Sequence, residues 1–205
     1  RLAKIDGMDK FSGQSFHTSR WDYNIDLKDK KVGIIGTGAT AVQVVPEISK
    51  ITKELYIFQR TPSSIDIRDQ RETTQEEINQ WKEEENWAKA RRERFAKISS
   101  GRAAIQGNDD YLSGKVDDYK ERKNHNRNLS IEELIEKQLA KNFRIMEQIR
   151  SRVDQMVDDP KIAESLKPYY PYGCKRPAFH DEFLSTFNLP NVNLIDTSPK
   201  GVSEI

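Results

Sequence analysis

One stretch limits the fold of this chain more than any other: Lys31-Val-Gly-Ile-Ile35 runs straight into Gly36-Thr-Gly-Ala-Thr-Ala41. A short β-branched run of this kind reads as a strand. The Gly36-x-Gly38-x-x-Ala41 spacing is the turn that leads a strand into a helix around a dinucleotide pyrophosphate. Gly36 permits the tight turn, Gly38 lets the backbone approach the phosphates, and Ala41 is small enough for helix and strand to pack. Residues 41–50 continue as a helix, with Pro46 as an awkward interior residue. Leu55-Tyr-Ile-Phe58 reads as a second buried strand, closed by Gln59-Arg60-Thr61-Pro62. Together these make one βαβ unit, expected to cross over right-handed.

Chemistry follows from the same turn. Backbone N–H groups at the helix start, from Ala39 to Ala41, would hold phosphate charge. The cofactor-binding set is Gly36, Thr37, Gly38, Ala39, Thr40, Ala41 and Gln43. A glycine-rich strand–helix turn with no ligand is the competing reading. The end of the second strand then indicates which nucleotide. Units that bind NAD place Asp or Glu about 20 residues past the glycines, to hold the ribose 2′-hydroxyl. Here Arg60 and Thr61 stand in that region, with no acid. Arg60 offers a charged fork to a 2′-phosphate and Thr61 a hydroxyl donor, so NADPH is expected over NADH.

The rest of the chain divides in three. Residues 1–27 are polar, with Gly7 and Gly13, and read as a linker. Residues 66–167 are strongly charged and helical in pattern, and are expected as an insertion. Thr74-Gln-Glu-Glu77 and Ser130-Ile-Glu-Glu133 are capping boxes. The first precedes Ile78, Trp81, Ala88 and Phe95 on one helical face. The second opens a long helix striped by Leu134, Ile135, Leu139, Met146, Ile149, Val153 and Val157. Asp159-Pro160 stops that helix and starts a short one. The segment from Ser99 to Leu129 is expected as an exposed loop. Compact character returns at Pro168, and Val192-Asn-Leu-Ile195 is another strand. The expected fold is α/β: a Rossmann-like parallel sheet, discontinuous over residues 28–65 and 168–198, interrupted by the helical insertion, with 199–205 leading away.

Composition excludes more than it assigns. Lys plus Arg number 34 against 33 Asp plus Glu, a net charge of +1, which gives no electrostatic case for nucleic acid or a membrane surface. The single cysteine, Cys174, excludes an internal disulfide framework and a Cys-x-x-Cys pair, and suits the cytoplasm. No apolar run approaches the length of a bilayer span. His17, His125 and His180 have no ligand spacing, so no metal site is expected. Trp81 and Trp87 read as helix packing. The first residue is Arg1 and the start lacks a signal-peptide core, so the chain is expected to be a segment of something longer.

Ahead of the glycine turn lies Phe11-Ser-Gly-Gln-Ser-Phe-His-Thr-Ser-Arg-Trp-Asp22. Read as F-x-G-x-x-x-H-x-x-x-W-D, it resembles the fingerprint of Baeyer–Villiger monooxygenases, flavoenzymes that insert an oxygen atom beside a ketone carbonyl. The resemblance implies that Phe11, Gly13, His17, Trp21 and Asp22 belong to a linker between flavin and nicotinamide domains, with His17 coupling their movement. Asp22 stands where many members have proline. Lys175-Arg176, flanked by Gly-Cys and by Pro177-Ala-Phe-His-Asp181, also looks like the family. By resemblance, Lys175 contacts the 2′-phosphate and Arg176 is the catalytic cation beside the negatively charged flavin; by composition alone, the pair is a solvated surface charge.

The resemblance thus implies NADPH and O2 as reactants, with FAD as cofactor, converting a small-molecule ketone to an ester or lactone. The FAD-binding turn and the remainder of the flavin domain are expected outside these residues. Two alternatives stay open: an N- or S-oxygenating flavin monooxygenase, and a dinucleotide-binding module with no catalysis.

Overall fold

A computed structural model describes residues 5–83, 85–99 and 130–205. The expected loop beyond Ser99, through Leu129, lies outside the described residues. A three-stranded sheet carries the architecture, with β1 (Lys31–Ile35), β2 (Glu54–Gln59) and β5 (Val192–Asp196) in the order β1-β2-β5. Both pairings are parallel: Val32 lies opposite Leu55, and Leu55 opposite Val192. The last strand therefore joins the sheet begun at Lys31 across more than a hundred intervening residues, as its apolar pattern suggests. Two short strands, β3 (Ile65–Asp66) and β4 (Ala178–Phe179), form a second parallel pair.

Register decides which face is core. Val32, Leu55 and Val192 share one face with Ile34, Ile57 and Leu194. That face packs against α1 (Ala39–Ser49) through Ala41, Val42, Val45 and Ile48. Val153 from α4 (Ile131–Met156), Val157 just beyond it, and Ala163 and Leu166 from α5 (Pro160–Leu166) join the same cluster. So do Phe183 and Phe187, whose rings meet edge to face at 5.2 Å. The opposite face is half covered and partly polar: Tyr56 and Lys31 both bond the Glu54 carboxylate, Lys31 at 2.9 Å. β2 is thus an alternating strand rather than one buried on both sides, as its apolar run had suggested.

Leu55 is wholly shielded at the centre of this core. Leu55→Ala should cost about 2–5 kcal/mol, because lost transfer energy and a residual cavity add. Urea denaturation checks this; an unchanged midpoint would show that the core does not depend on β2.

The chain separates into two compact units, one of residues Arg1–Ile67 with Ala140–Ile205, the other Arg68–Leu139. The division falls inside α4, earlier than the end of the expected 66–167 insertion. The reason lies in burial: Ile149, Val153, Val157, Ala163 and Leu166 are core residues, whereas Ile135 and Leu139 on the same stripe are exposed. Asp159 caps α5 by accepting from the Lys161 and Ile162 amides at 2.7 and 3.3 Å, with Pro160 in the first turn.

In the second unit, α2 (Gln75–Glu83) and α3 (Trp87–Ser99) replace the single run that the apolar face implied. Asn86 breaks it with a φ of 63°, in the left-handed region. Trp81 and Trp87 stack across the break at 5.5 Å. Both capping boxes form: Thr74 and Glu77 exchange bonds at 2.8 and 3.3 Å, Ser130 and Glu133 at 2.7 and 3.2 Å.

Arg71 grips the Glu77 carboxylate at 2.6 and 2.9 Å, and this, with the Thr74 amide, holds its pKa down at about 2, from 4.5. A folded-state pKa below the unfolded one adds stability at pH values above the unfolded pKa and loses it as pH falls through the folded one. Glu77→Gln should therefore lower helix content by a constant amount above about pH 5, and the gap from wild type should close between 4.5 and about 2. Circular dichroism across that range checks it; a gap that persists unchanged at pH 2 would contradict the assignment.

Candidate nucleotide-binding site

The glycine turn lies where β1 gives way to α1. Gly36 has a φ of 99°, which a side chain rarely adopts, and its N–H donates to Phe58 O at 2.8 Å, tying the turn to β2. A Cβ added at Gly36 or at Gly38 would meet no atom within 4 Å, so there is open space over the turn. Gly38 is the N-cap of α1 and no side chain caps the helix there. Ala39 and Thr40, in its first turn, are exposed. Uncapped N–H groups at the positive end of a helix, under open space, fit an anionic pyrophosphate.

The other predicted residues of the turn take structural parts. Thr37 is buried and its hydroxyl donates to Thr61 O at 3.1 Å. The Ser63 hydroxyl donates back to Thr37 O. These two bonds join the turn to the segment that follows β2. Ala41 is buried against the sheet, the small-residue role expected of it. Gln43 folds its amide onto its own helix, donating to Ala39 O at 2.9 Å.

At the end of β2, neighbouring side chains part company. Gln59 turns into the core, its amide donating to Ser165 O at 2.7 Å. Arg60 is exposed, with its aliphatic stem against Gly201: a Cβ added there would lie 3.4 Å from Arg60 Cδ. Thr197 closes this corner, its amide and hydroxyl donating to Gln59 O at 2.7 and 3.0 Å.

The basic loop returns to the same place. Tyr170 donates its hydroxyl to Pro62 O at 2.9 Å and accepts from the Ser64 amide at 3.2 Å. Lys175 sets its ammonium over the Tyr170 ring, 4.9 Å from the centroid. The loop then enters β4, with the Ala178 amide on Ser64 O at 2.9 Å. Lys175 and Arg176 are both exposed. Residues 36–37, 60–64 and 170–178 are therefore one connected structure.

Known proteins resemble the chain in sequence and fold. Residues 2–75 match the family described as flavin-binding monooxygenase-like. Over the whole chain, the sequence is 42% identical to a Baeyer–Villiger monooxygenase of Stachybotrys chlorohalonatus, of which it covers 35%. It is 41% identical, over 98% of its length, to a polycyclic ketone monooxygenase of Thermothelomyces thermophilus, of which it covers 34%. The solved structure of a polycyclic ketone monooxygenase from that fungus superposes with a TM-score of 0.78 at 38% identity, over 99% of this chain and 35% of that one. OTEMO in complex with FAD and NADP gives 0.68 at 27% identity, over all of this chain and 40% of that one.

Along its whole length the chain is similar to Baeyer–Villiger monooxygenases. It spans about a third of the length of the curated relatives named above, 35% and 34%.

The residues before the sheet make local contacts. The Phe11 ring covers Gly13, where an added Cβ would lie 2.6 Å from it. His17 accepts from the Ser19 amide at 3.1 Å and caps a 3-10 turn, Thr18–Arg20. Phe16 meets Trp21 edge to face at 5.1 Å, and Trp21 packs against the core. Asp22 accepts from the Asn24 amide at 3.0 Å. Asp6 and Glu204 form a parallel bridge, bringing residues far apart in sequence side by side. Tyr170, Ser63 and Gly201 are the site residues that sequence reasoning missed. The pattern Tyr-Tyr-Pro-Tyr-Gly before Lys175 was the one available signal, and it does not say which tyrosine turns inward. Among the described residues, no helix is long and apolar enough to cross a membrane.

Proposed function

We propose that this chain is the NADP(H)-binding part of a cytoplasmic, FAD-dependent enzyme that converts a ketone to an ester or lactone. Ketone, O2, NADPH and a proton give ester or lactone, NADP+ and water. One observation carries the reading: an uncapped helix N-terminus under open space lies beside an exposed arginine at the end of the next strand. NADPH supplies the hydride and FAD the oxygen activation; FAD would be held mainly by parts of the protein outside this chain.

The chain's own residues bind and orient. Gly36 and Gly38 leave room for the pyrophosphate, and the amides of Ala39, Thr40 and Ala41 face its charge. Thr37 holds the turn against Thr61, so that the phosphate and ribose ends of the site keep a fixed spacing. Arg60, with Thr61 and Lys175, takes the 2′-phosphate. Arg176 places a guanidinium, a group that stays charged at working pH, where negative charge develops during oxygenation. Phe11, Gly13, His17, Trp21 and Asp22 form the linker through which the nicotinamide part moves.

Incubation of the intact, FAD-loaded protein with NADPH, 18O2 and a panel of cyclic ketones, amines and thioethers tests the reading. One labelled oxygen should appear in the ring of a lactone product. Oxidation confined to amines and thioethers would assign the chain to N- or S-oxygenating relatives. NADPH binding with no oxidation of any substrate would leave a binding module.

A further inference from the structure

Lys175 is exposed on a long, flexible stem, yet it is not left to wander. Its ammonium lies over the face of Tyr170, well inside the distance at which a ring attracts a cation. That ring is in turn fixed at its far end. The Tyr170 hydroxyl both donates to Pro62 O and accepts from the Ser64 amide, so it spans the segment directly after Arg60-Thr61. A second clamp holds the loop from the other side: Asn142 on α4 donates to Tyr172 O and accepts from the Tyr172 amide, both at 2.9 Å. Lys175 thus lies over a ring whose position is set by the backbone of β2's own exit.

Resting on the reading of Arg60 and Lys175 as a 2′-phosphate site, we propose that Tyr170 is a positioning residue that sets coenzyme preference. Its hydroxyl anchors the ring to residues 62–64, and the ring face pre-orders Lys175 towards the 2′-phosphate. Lysine loses much rotamer freedom when it is fixed on a ligand. A ring that restrains it beforehand reduces that loss, and does so only for a ligand that carries the phosphate. Tyr170 touches no coenzyme in this scheme; it acts through Lys175. NAD+ has no 2′-phosphate and gains nothing from the arrangement.

The test is calorimetric titration of NADP+ and NAD+ into the intact, FAD-loaded protein. Tyr170→Leu should weaken NADP+ about two- to fivefold, the worth of an exposed cation–π contact, and leave NAD+ unchanged. Tyr170→Phe, which keeps the ring but loses its hydroxyl anchor, should show a preference between those of wild type and Tyr170→Leu. Placing 3,4,5-trifluorophenylalanine at position 170 keeps shape and packing but drains charge from the ring face. It should lose preference as Tyr170→Leu does, and it decides the matter even if the leucine variant fails to fold. In a Lys175→Ala background, the variants at position 170 should no longer differ. Equal weakening of NADP+ and NAD+ by Tyr170→Leu, or a fluorinated ring that performs like phenylalanine, would overturn the proposal. Wild-type protein that binds both coenzymes alike would overturn the underlying reading of the site, and the proposal with it.

Discussion

Arg176→Ala in the intact, FAD-loaded enzyme is expected to cut ketone oxygenation at least about a hundredfold while NADP+ still binds. The expected effect is electrostatic. A preorganised cation or hydrogen-bond donor aimed at developing charge is worth about 10²–10³ in rate, since its partner exists only as the reaction proceeds. Arg176 directly precedes Pro177 and the β4 strand, whose Ala178 amide is bonded to Ser64 O at 2.9 Å. Its backbone is therefore anchored beside the β3–β4 pair, although its side chain is exposed. Lysine is not an equivalent replacement, because it lacks the planar fork and carries a more strongly hydrated point charge. Steady-state rates and NADP+ titration together check the prediction. An unchanged oxygenation rate with weakened NADP+ binding would make Arg176 a second phosphate clamp.

Arg60→Ala should show the opposite division. Its proposed contact is with a phosphate remote from the reacting carbon, present equally in ground and transition states. Loss of such uniform binding raises the Michaelis constant and spares the maximal rate. A hydrogen bond to a charged group contributes roughly 1.5–3 kcal/mol, so affinity for NADPH should fall about ten- to a hundredfold. NADH should be affected little, and preference between the two should narrow. A variant that lost affinity for both coenzymes equally would instead have disturbed the β2 corner, where Gly201 lies against Arg60 and Thr197 bonds the Gln59 carbonyl.

The parts of the fold that are legible in the sequence are those governed by local patterns. Val32 to Ala41 combines a β-branched run with glycines at fixed offsets, and each has a short-range steric reason. The Ser-x-x-Glu and Thr-x-x-Glu boxes are equally local, and both form. Asp159-Pro160 starts a helix because cap and proline act within one turn. What is less legible depends on distant partners. Tyr56 and Phe58 belong to the same apolar run as Leu55 and Ile57, and only pairing with β1 and β5 decides which alternate set becomes core. Ile135 and Val153 occupy one helical stripe, yet one is exposed and the other buried, because only the later turns of α4 reach the sheet's core. Asn86 interrupts a periodic face, and a lone asparagine is a weak signal for a positive φ.

The site divides in the same way. Gly36, Gly38 and Arg60 can be picked out by spacing from a strand. Lys175 and Arg176 are a charged pair like many others by composition, and gain meaning only through resemblance and through their return to residue 64. Tyr170 could not be selected from three neighbouring tyrosines, since its anchors, Pro62 and Ser64, lie more than a hundred residues earlier.

The most direct test of the account is a crystal structure of the intact, FAD-loaded protein with NADP+. The pyrophosphate should lie over Gly36 and Gly38 at the start of α1, with the 2′-phosphate held by Arg60 and Lys175. A dinucleotide bound elsewhere, or in this turn with its adenosine ribose directed away from Arg60, would contradict it.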